Sequence, residues 1–176
     1  MYHCHIHFYL IGHNGHLFDA LKRMTPLEHF THEFSESDLP EEEKIVCADV
    51  ILANLQDTDA LQVLRSLVSK KREDAELILL AEKKQIGLLA DSLDDVRDIW
   101  TLPLSETELS FRFLRWQQTC KMDKDFWETR HFLDATINHV PTLIWYKNKE
   151  GIHVKVNDCF CDTVGKTKQQ VEGRDH

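Results

Sequence analysis

The chain lacks any long apolar run and any excess of basic residues. No apolar stretch approaches the roughly 20 residues that a membrane-spanning helix needs. Lysine and arginine together number 21 against 30 acidic residues, which gives a net charge of −9, and no basic run offsets it. Binding to nucleic acids or to anionic membranes is therefore not expected. The composition predicts a cytoplasmic segment that does not enter a membrane.

The chain also lacks paired cysteines. No CxxC spacing is present, and the five cysteines are scattered along the sequence: Cys4, Cys47, Cys120, Cys159 and Cys161. This pattern favours free thiols in a reducing compartment over a disulfide or zinc framework.

Histidines are frequent instead, and His3, His5 and His7 fall on one face of a predicted strand. Ligands two residues apart on a strand are separated by about 7 Å, too far for two neighbours to share one ion at about 2.1 Å. Packed neutral imidazoles are therefore the favoured interpretation, and a metal or ligand sensor is the alternative. We predict no metal site and no cofactor.

Residues 1–118 alternate short apolar runs with amphipathic helical patterns. The clearest runs begin at Ile6, Ala48, Glu76 and Asp98, and a weaker one begins at His29. Continuous rather than alternating apolarity indicates strands that are covered on both faces, as in a parallel sheet between helices. The pattern predicts an α/β fold with five parallel strands.

A long helix is predicted from Ser105 onward, because no glycine or proline interrupts the chain before Pro141. About 30 helical residues would extend roughly 45 Å. An apolar stripe is expected to bury the first half against the sheet or against a partner: Leu109, Phe113, Trp116 and Cys120. The stripe loosens at residues 121–125, so a break there and one continuous helix are both open. Such helices often couple domains in a dimer, and a parallel two-stranded coil is expected.

The last block of the sequence has a different character. Residues 140–157 predict a β-hairpin whose turn contains Gly151. A short helix follows from Asp158 to Val164, and Gly165 is expected to end it in the left-handed conformation. One more helical turn is predicted near residues 168–173.

The third predicted strand, residues 49–55, carries Asn54 at its end. Together with the stretch Thr101–Leu109, this segment resembles the receiver domain of bacterial two-component response regulators. The resemblance implies a flavodoxin-like strand order of 2-1-3-4-5. It also implies magnesium bound by acidic residues after the first strand, phosphate on an aspartate after the third, and a lysine counter-ion before a proline.

The sequence departs from that family pattern at every chemical position. Gly12-His13-Asn14-Gly15 stands where the acidic pair is expected, Asn54 replaces the phosphoacceptor, Leu102 replaces the lysine, and Leu80-Ala81 offers no hydroxyl switch. Phosphotransfer at this site is therefore not expected. Asp57 or Asp59 as a displaced acceptor is the alternative, although helix capping explains both. A cofactor-binding flavodoxin-like protein is a weaker alternative, because this glycine loop is a poor phosphate cradle.

The receiver resemblance also implies a partner surface. The last strand and last helix of such domains commonly pair with a second copy, so we expect a homodimer or protein partner at five residues: Leu102, Leu104, Phe111, Phe113 and Trp116. No catalytic residue is predicted in this segment.

Residues from about 131 to 176 resemble the first half of a PAS domain. The resemblance rests on Val140-Pro141, Gly151, Val156-Asn157 and Phe160, and on Gly165. The predicted division is a receiver-like domain at 1–118, a connecting helix at 119–139 and part of a PAS domain at 140–176. This order resembles that of diguanylate cyclases carrying a GGDEF domain, with a sensor histidine kinase as the alternative. The expected role is regulation by phosphorylation-independent dimerisation and signal relay.

Overall fold

The protein is represented by a computed structural model that describes residues 4–55, 60–89 and 94–175. Its packing divides into two compact units. The first ends at Lys121 and the second begins at Met122.

The first unit is built on a parallel five-stranded sheet with the order β2-β1-β3-β4-β5. Its strands are β1 (His5–Ile11), β2 (Thr31–Ser37), β3 (Val50–Asn54), β4 (Glu76–Glu82) and β5 (Asp98–Leu102). The inner strands β3 and β4 are buried almost throughout, whereas the edge strand β2 keeps several exposed positions. The predicted α/β fold and its strand order are confirmed.

Four short helices lie between the strands: α1 (Gly15–Lys22), α2 (Glu42–Cys47), α3 (Ala60–Lys70) and α4 (Lys83–Leu89). On one side of the sheet, α2 and α3 bury an aliphatic core that includes Ile45, Ile51, Leu64 and Leu67. The sequence analysis did not identify α4, because its first turn begins with two lysines and carries no capping residue.

An aromatic cluster fills part of the other side of the sheet. The Phe8 ring on β1 lies 5.1 Å from that of His32 on β2, measured between ring centroids. The helix α5 (Glu106–Asn138) adds Phe113 and Trp116, whose centroids lie 5.7 and 5.1 Å from that of Phe8. The predicted stripe on the first half of α5 is therefore buried against the chain's own sheet.

The helix α5 is continuous over 33 residues. The alternative of a break at residues 121–125 is wrong, because the segment holds no helix breaker and keeps helical side-chain pairs. Lys124 reaches Glu128 one turn later, with Nζ 2.6 Å from Oε1. The Ser105 hydroxyl accepts a hydrogen bond from the Glu108 amide at 3.2 Å, which caps the helix start as predicted.

The second unit combines the end of α5 with a small α/β segment. Its antiparallel hairpin consists of β6 (Trp145–Lys147) and β7 (His153–Val156), and the helices α6 (Asp158–Val164) and α7 (Lys168–Val171) follow. Gly165 ends α6 at φ +67°, so the predicted left-handed cap is confirmed. Val156, Cys161 and Val171 form a small core against Phe160.

Candidate functional site

The carboxyl ends of β1 and β3 meet at one edge of the sheet, where the receiver resemblance places its chemistry. The two strands are direct neighbours, with Ile11 opposite Ala53. The Asn54 amide nitrogen donates a hydrogen bond to the His13 carbonyl oxygen at 2.8 Å. The structure therefore brings together Asn54 and the loop after β1, as the sequence analysis expected.

The backbone at Gly12 leaves no room for a side chain. Its φ is +92°, a conformation that other residues rarely adopt. A Cβ atom built there would lie 2.9 Å from the Asn54 carbonyl oxygen and 3.2 Å from the Asn54 Cβ. An aspartate at this position would therefore collide with the end of β3. Sequence reasoning noted the missing acid but missed this close approach, for which a glycine directly after a strand is the only signal.

Asn54 itself is fixed as an amide by its surroundings. Its Nδ2 group donates to a carbonyl oxygen, and its Oδ1 atom is buried without a hydrogen-bond partner among the described residues. A carboxylate in the same place would bring an anionic oxygen to the His13 carbonyl. The His13 imidazole points elsewhere and lies 3.0 Å from the Asp38 carboxylate, with both side chains exposed.

Aliphatic side chains occupy the positions of the expected lysine and hydroxyl. Leu102 is buried, and Leu80 is almost completely buried. The peptide bond between Leu102 and Pro103 is cis. Leu102 lines a cleft of about 790 Å³ whose cations, Lys83 and Lys84, belong to α4 rather than to β5. Lys84 already lies 2.8 Å from the Glu82 carboxylate.

A second cleft, of about 360 Å³, lies beside Asn54 between the ends of β1 and β3 and the β2–α2 loop. Among the described residues its lining is mainly apolar and includes one acid, Asp38, which faces His13. Across the described ranges, no group of three or more His, Cys, Asp or Glu side chains is placed to hold a metal ion. The described residues at this edge of the sheet therefore combine amide, imidazole and aliphatic groups with a single carboxylate.

The displaced acceptors considered from the sequence, Asp57 and Asp59, lie outside the described residues, as does His3. His5 and His7 are not aimed at a shared ion. The His5 ring contacts Thr31 and Glu33 at 2.7 and 3.1 Å, and the His7 ring nitrogens lie 3.3 Å from the Cys47 carbonyl oxygen and 2.9 Å from the Ser35 hydroxyl. The His5 side chain is exposed and the His7 side chain is half-buried, and each ring has hydrogen-bond partners of its own.

The structure buries most of the five residues that were predicted to lie at an interface. Four of them are core residues of the first unit: Leu102, Leu104, Phe113 and Trp116. Phe113 and Trp116 face the aromatic cluster, and the Trp116 indole donates a hydrogen bond to Glu76 at 2.7 Å. Their expected role as contact residues is therefore corrected, because a side chain packed on its own sheet cannot also face a partner. Phe111 alone of the five is exposed, at 63%. The pairing itself stays a prediction.

In the second unit, Asn157 joins three segments of the chain. Its side chain is fully buried, and its Oδ1 atom accepts hydrogen bonds from the amides of Ile144 and Phe160, both at 3.0 Å. Its Nδ2 group donates to the carbonyl oxygens of Ile137 and Thr142 at 3.0 and 2.8 Å. One side chain therefore caps α6 and holds the end of α5 and the entry to β6.

Two ion pairs and one further amide reinforce this junction. Lys155 lies 2.7 Å from the Asp134 carboxylate, and Lys168 lies 2.7 Å from that of Asp158. The Asn138 side-chain oxygen accepts from the Asp158 amide at 3.1 Å. Lys155 also lowers the pKa of the Asp134 carboxyl through their hydrogen bond. Sequence reasoning selected Asn157 by motif and missed its role as a connector.

No family model matches the chain, and no curated protein matches it. Within the described helices, none has the length and apolarity needed to span a membrane.

Solved structures that resemble the chain include three bacterial proteins. An adenylate cyclase from Rhodopirellula baltica is 10% identical, with a TM-score of 0.48 over 72% of this chain and 98% of that one. A CpaE2 pilus assembly protein from Sinorhizobium meliloti is 13% identical, with a TM-score of 0.47 over 62% and 98%. A response regulator receiver domain protein from Clostridium thermocellum is 12% identical, with a TM-score of 0.46 over 66% and 98%. The fold assignment itself rests on the observed strand order.

Proposed function

We propose that this chain is the regulatory region of a bacterial signalling protein, and that its first unit is a receiver-like module that works without phosphorylation. The observation that carries the proposal is the contact between Gly12 and Asn54. It leaves no room for an acidic side chain at position 12, at a sheet edge that keeps the receiver-like strand order and carries an amide at position 54 instead of an acidic nucleophile.

Loss of the remaining groups supports the same proposal. A phosphoacceptor needs a cation to offset the charge on the incoming phosphoryl group, and the buried Leu102 supplies none. A hydroxyl that reports phosphorylation is also missing at Leu80. With metal ligand, nucleophile, counter-charge and reporter all replaced, the module signals through protein contacts.

The second unit is proposed to be the first part of a PAS domain. The hairpin, the α6 cap at Asn157 and the left-handed Gly165 support this. Among the described strands, β6 and β7 pair only with each other, and the His153 backbone of β7 also bonds to Gly173 and Arg174, so further strands would add at the edge of β6. The proposed output of the full protein is a GGDEF diguanylate cyclase, and the alternative is a sensor histidine kinase.

Relay is proposed to occur through a cytoplasmic homodimer. A signal that binds two arrangements of paired α5 helices unequally would shift the population between them. Exposed apolar side chains on α5 support pairing: in the first unit Phe111 and Leu114 are 63% and 42% exposed. Large apolar side chains at such exposure are typical of interaction sites.

The test is incubation of the chain with acetyl phosphate and magnesium, followed by intact-mass measurement. We expect no gain of about 80 Da, the mass of one phosphoryl group. Sedimentation of the same samples should show a dimer that the phosphodonor leaves unchanged. A stoichiometric gain that disappears in an Asp57→Ala or Asp59→Ala variant would establish the alternative, a divergent receiver that is still phosphorylated.

A further inference from the structure

The second half of α5 exposes a row of large apolar side chains. Met122 and Phe126 are 71% and 69% exposed, and Phe132 and Leu133 are 75% and 55% exposed. Met122, Phe126 and Leu133 follow one another at spacings of four and seven residues, which place them on one side of a helix with 3.6 residues per turn, and Phe132 flanks that side. Soluble proteins rarely leave such a row uncovered, so this face is a candidate contact surface.

A neighbouring side of the same helix segment is already engaged within its own unit. Asp134 pairs with Lys155 at 2.7 Å, and the Ile137 carbonyl accepts from Asn157 at 3.0 Å. The helix is therefore held by one side while the apolar side faces solvent. A partner can cover the apolar row without disturbing these contacts.

Two threonines complete the row, and their hydroxyl groups are already hydrogen-bonded within the helix. The hydroxyl of Thr129 donates to the Asp125 carbonyl oxygen, and that of Thr136 donates to the Phe132 carbonyl oxygen, each at 2.7 Å. Because both hydroxyls are already satisfied within the helix, burying these residues leaves no unpaired polar group, and their methyl groups join the apolar surface.

The exposed row follows a heptad pattern. Phe126 and Leu133 occupy a positions, and Met122, Thr129 and Thr136 occupy d positions. Asp125 then falls at a g position and Arg130 at the following e position. Both side chains are exposed, and no salt bridge in the described part of the chain uses either of them. In a parallel coiled coil, a g residue lies beside the e residue of the next heptad in the other helix.

We propose that the second halves of α5 from two copies of this chain pair in parallel and in register. Asp125 then meets Arg130 of the partner subunit twice per dimer, once on each side of the apolar seam. Phe132, also at a g position, lies beside Ile137 of the partner subunit and widens the seam. The inference rests on the homodimer of the proposed function and specifies its geometry.

Charge complementarity separates this arrangement from the reverse one. An antiparallel pair that matches a positions with d positions would place Asp123, rather than Asp125, beside Arg130 of the partner subunit. Charge reversal at Asp125 and Arg130, first singly and then together, therefore reports the direction of pairing.

The first experiment measures the dimer dissociation constant of the full chain by sedimentation equilibrium. Asp125→Arg and Arg130→Asp should each weaken the dimer about fivefold, because each places like charges together at two symmetric sites. The double variant Asp125→Arg/Arg130→Asp should return to within about twofold of the unaltered chain. Rescue by Asp123→Arg/Arg130→Asp instead, or by neither double variant, would overturn the parallel arrangement.

The second experiment tests the seam itself. Phe126→Asp and Leu133→Asp should each weaken the dimer more than about 100-fold, because each buries two carboxylates in an apolar seam. Ala135→Asp is the matched control, since Ala135 is an exposed residue of the same helix outside the row, and it should leave the dissociation constant within about twofold. Circular dichroism should show the same helix content in all three variants.

The outcomes distinguish this inference from the proposal beneath it. A dimer that both seam variants leave intact would overturn the α5 pairing while keeping a homodimer formed by another face. A chain that stays monomeric at all accessible concentrations would overturn both. Loss of the dimer in the two seam variants but not in the control, with rescue by the first double charge reversal, supports both.

Discussion

At the scale of single residues, His32 is the most unusual polar group in the first unit. Its ring lies among the rings of Phe8, Phe34, Phe113 and Trp116. Both of its nitrogens are buried without a hydrogen-bond partner among the described residues. Burial lowers the pKa of His32 from 6.5 to about 4, because the surrounding rings offer no charge to balance a protonated imidazole.

This burial predicts a stability that falls on acidification. The unfolded chain binds a proton at His32 near pH 6.5 and the folded chain only near pH 4, so the free energy of unfolding declines as pH drops between these values. From pH 7.5 to 5.0 we expect a loss of about 1–2 kcal/mol attributable to this residue, allowing for its incomplete burial. Urea unfolding at both pH values measures the loss.

The control for this prediction is a second histidine. His32→Phe should remove most of the pH-dependent loss, whereas His16→Gln, at an exposed histidine, should leave it in place. Equal acid sensitivity in His32→Phe and the unaltered chain would show that other groups cause the decline.

Asn54 allows a test of how deeply the phosphorylation site has changed. Asn54→Asp should not become phosphorylated by acetyl phosphate with magnesium, because Gly12, His13 and Leu102 supply neither metal ligand nor counter-ion. It should lower the free energy of unfolding by about 1–3 kcal/mol, since a carboxylate would face the His13 carbonyl in place of an N–H donor. Intact mass and urea unfolding provide the two measurements.

Comparison with Asn54→Ala isolates the effect of charge. The alanine variant loses the same hydrogen bond without introducing an anion, so it should be less destabilised than the aspartate variant at pH 7. The difference should shrink at low pH as the new carboxyl becomes protonated. A phosphorylated aspartate variant would contradict the argument from the missing ligands.

At the scale of elements, Asn157 fixes the order of three segments: the end of α5, the loop into β6 and the start of α6. Asn157→Ala should lower the stability of the second unit by about 2–4 kcal/mol, because it removes the hydrogen-bond partner of two backbone amides and two backbone carbonyl oxygens in a partly buried junction. Hydrogen exchange of the amides in β6 and β7 would report the loss locally.

Asn157→Ser separates capping from connection. A serine hydroxyl can still accept from the Phe160 amide, but it cannot reach both carbonyl oxygens that Asn157 binds. We expect it to recover about 1 kcal/mol of the alanine loss, in keeping with a single cap. Full recovery by serine would mean that the bonds to Ile137 and Thr142 contribute nothing.

Strands and long helices were predictable because each carries its own pattern. The buried strands β3 and β4 are continuous apolar runs, and α5 has a cap and no breaker. The short α4 was not predictable, because helix formation there depends on tertiary packing: Gln85 is buried and bonds to the Glu82 amide and the Leu55 carbonyl. Periodicity identified the stripe of α5 that is buried, but it could not say whether the chain's own sheet or a partner would cover that stripe.

The sequence shows which residue types stand at the candidate site, but it does not show which groups the fold places around them. The absent acid at Asn54 and the absent lysine at Leu102 are visible in the sequence. The collision that a side chain at Gly12 would cause depends on the φ of that residue and on the position of β3, which no local pattern encodes. Burial of Phe113 and Trp116 likewise depends on Phe8 and His32, which lie far away in the chain.

At the scale of the whole molecule, the chain combines a complete five-stranded sheet with an edge that carries Asn54 and Leu102 where the proposed function requires no phosphoacceptor and no counter-ion. The two compact units contain separate cores, and α5 runs through both units. Under the proposed function, regulation acts through populations of packed states rather than through a covalent mark. The seam proposed for α5 has threonine at two of its d positions, so we expect the two helices to pair only weakly. The differential binding energy of a signal can then shift the equilibrium between two arrangements of the paired helices.

The geometry at Gly12 also sets what a protein engineer would have to change to build an acidic centre at this edge of the sheet. A single codon change at Asn54 supplies a carboxylate, but a side chain at position 12 has no space beside the Asn54 carbonyl oxygen. Grafting a second acid at position 12 therefore needs a rebuilt backbone in the loop after β1, because substitution alone leaves the close approach in place.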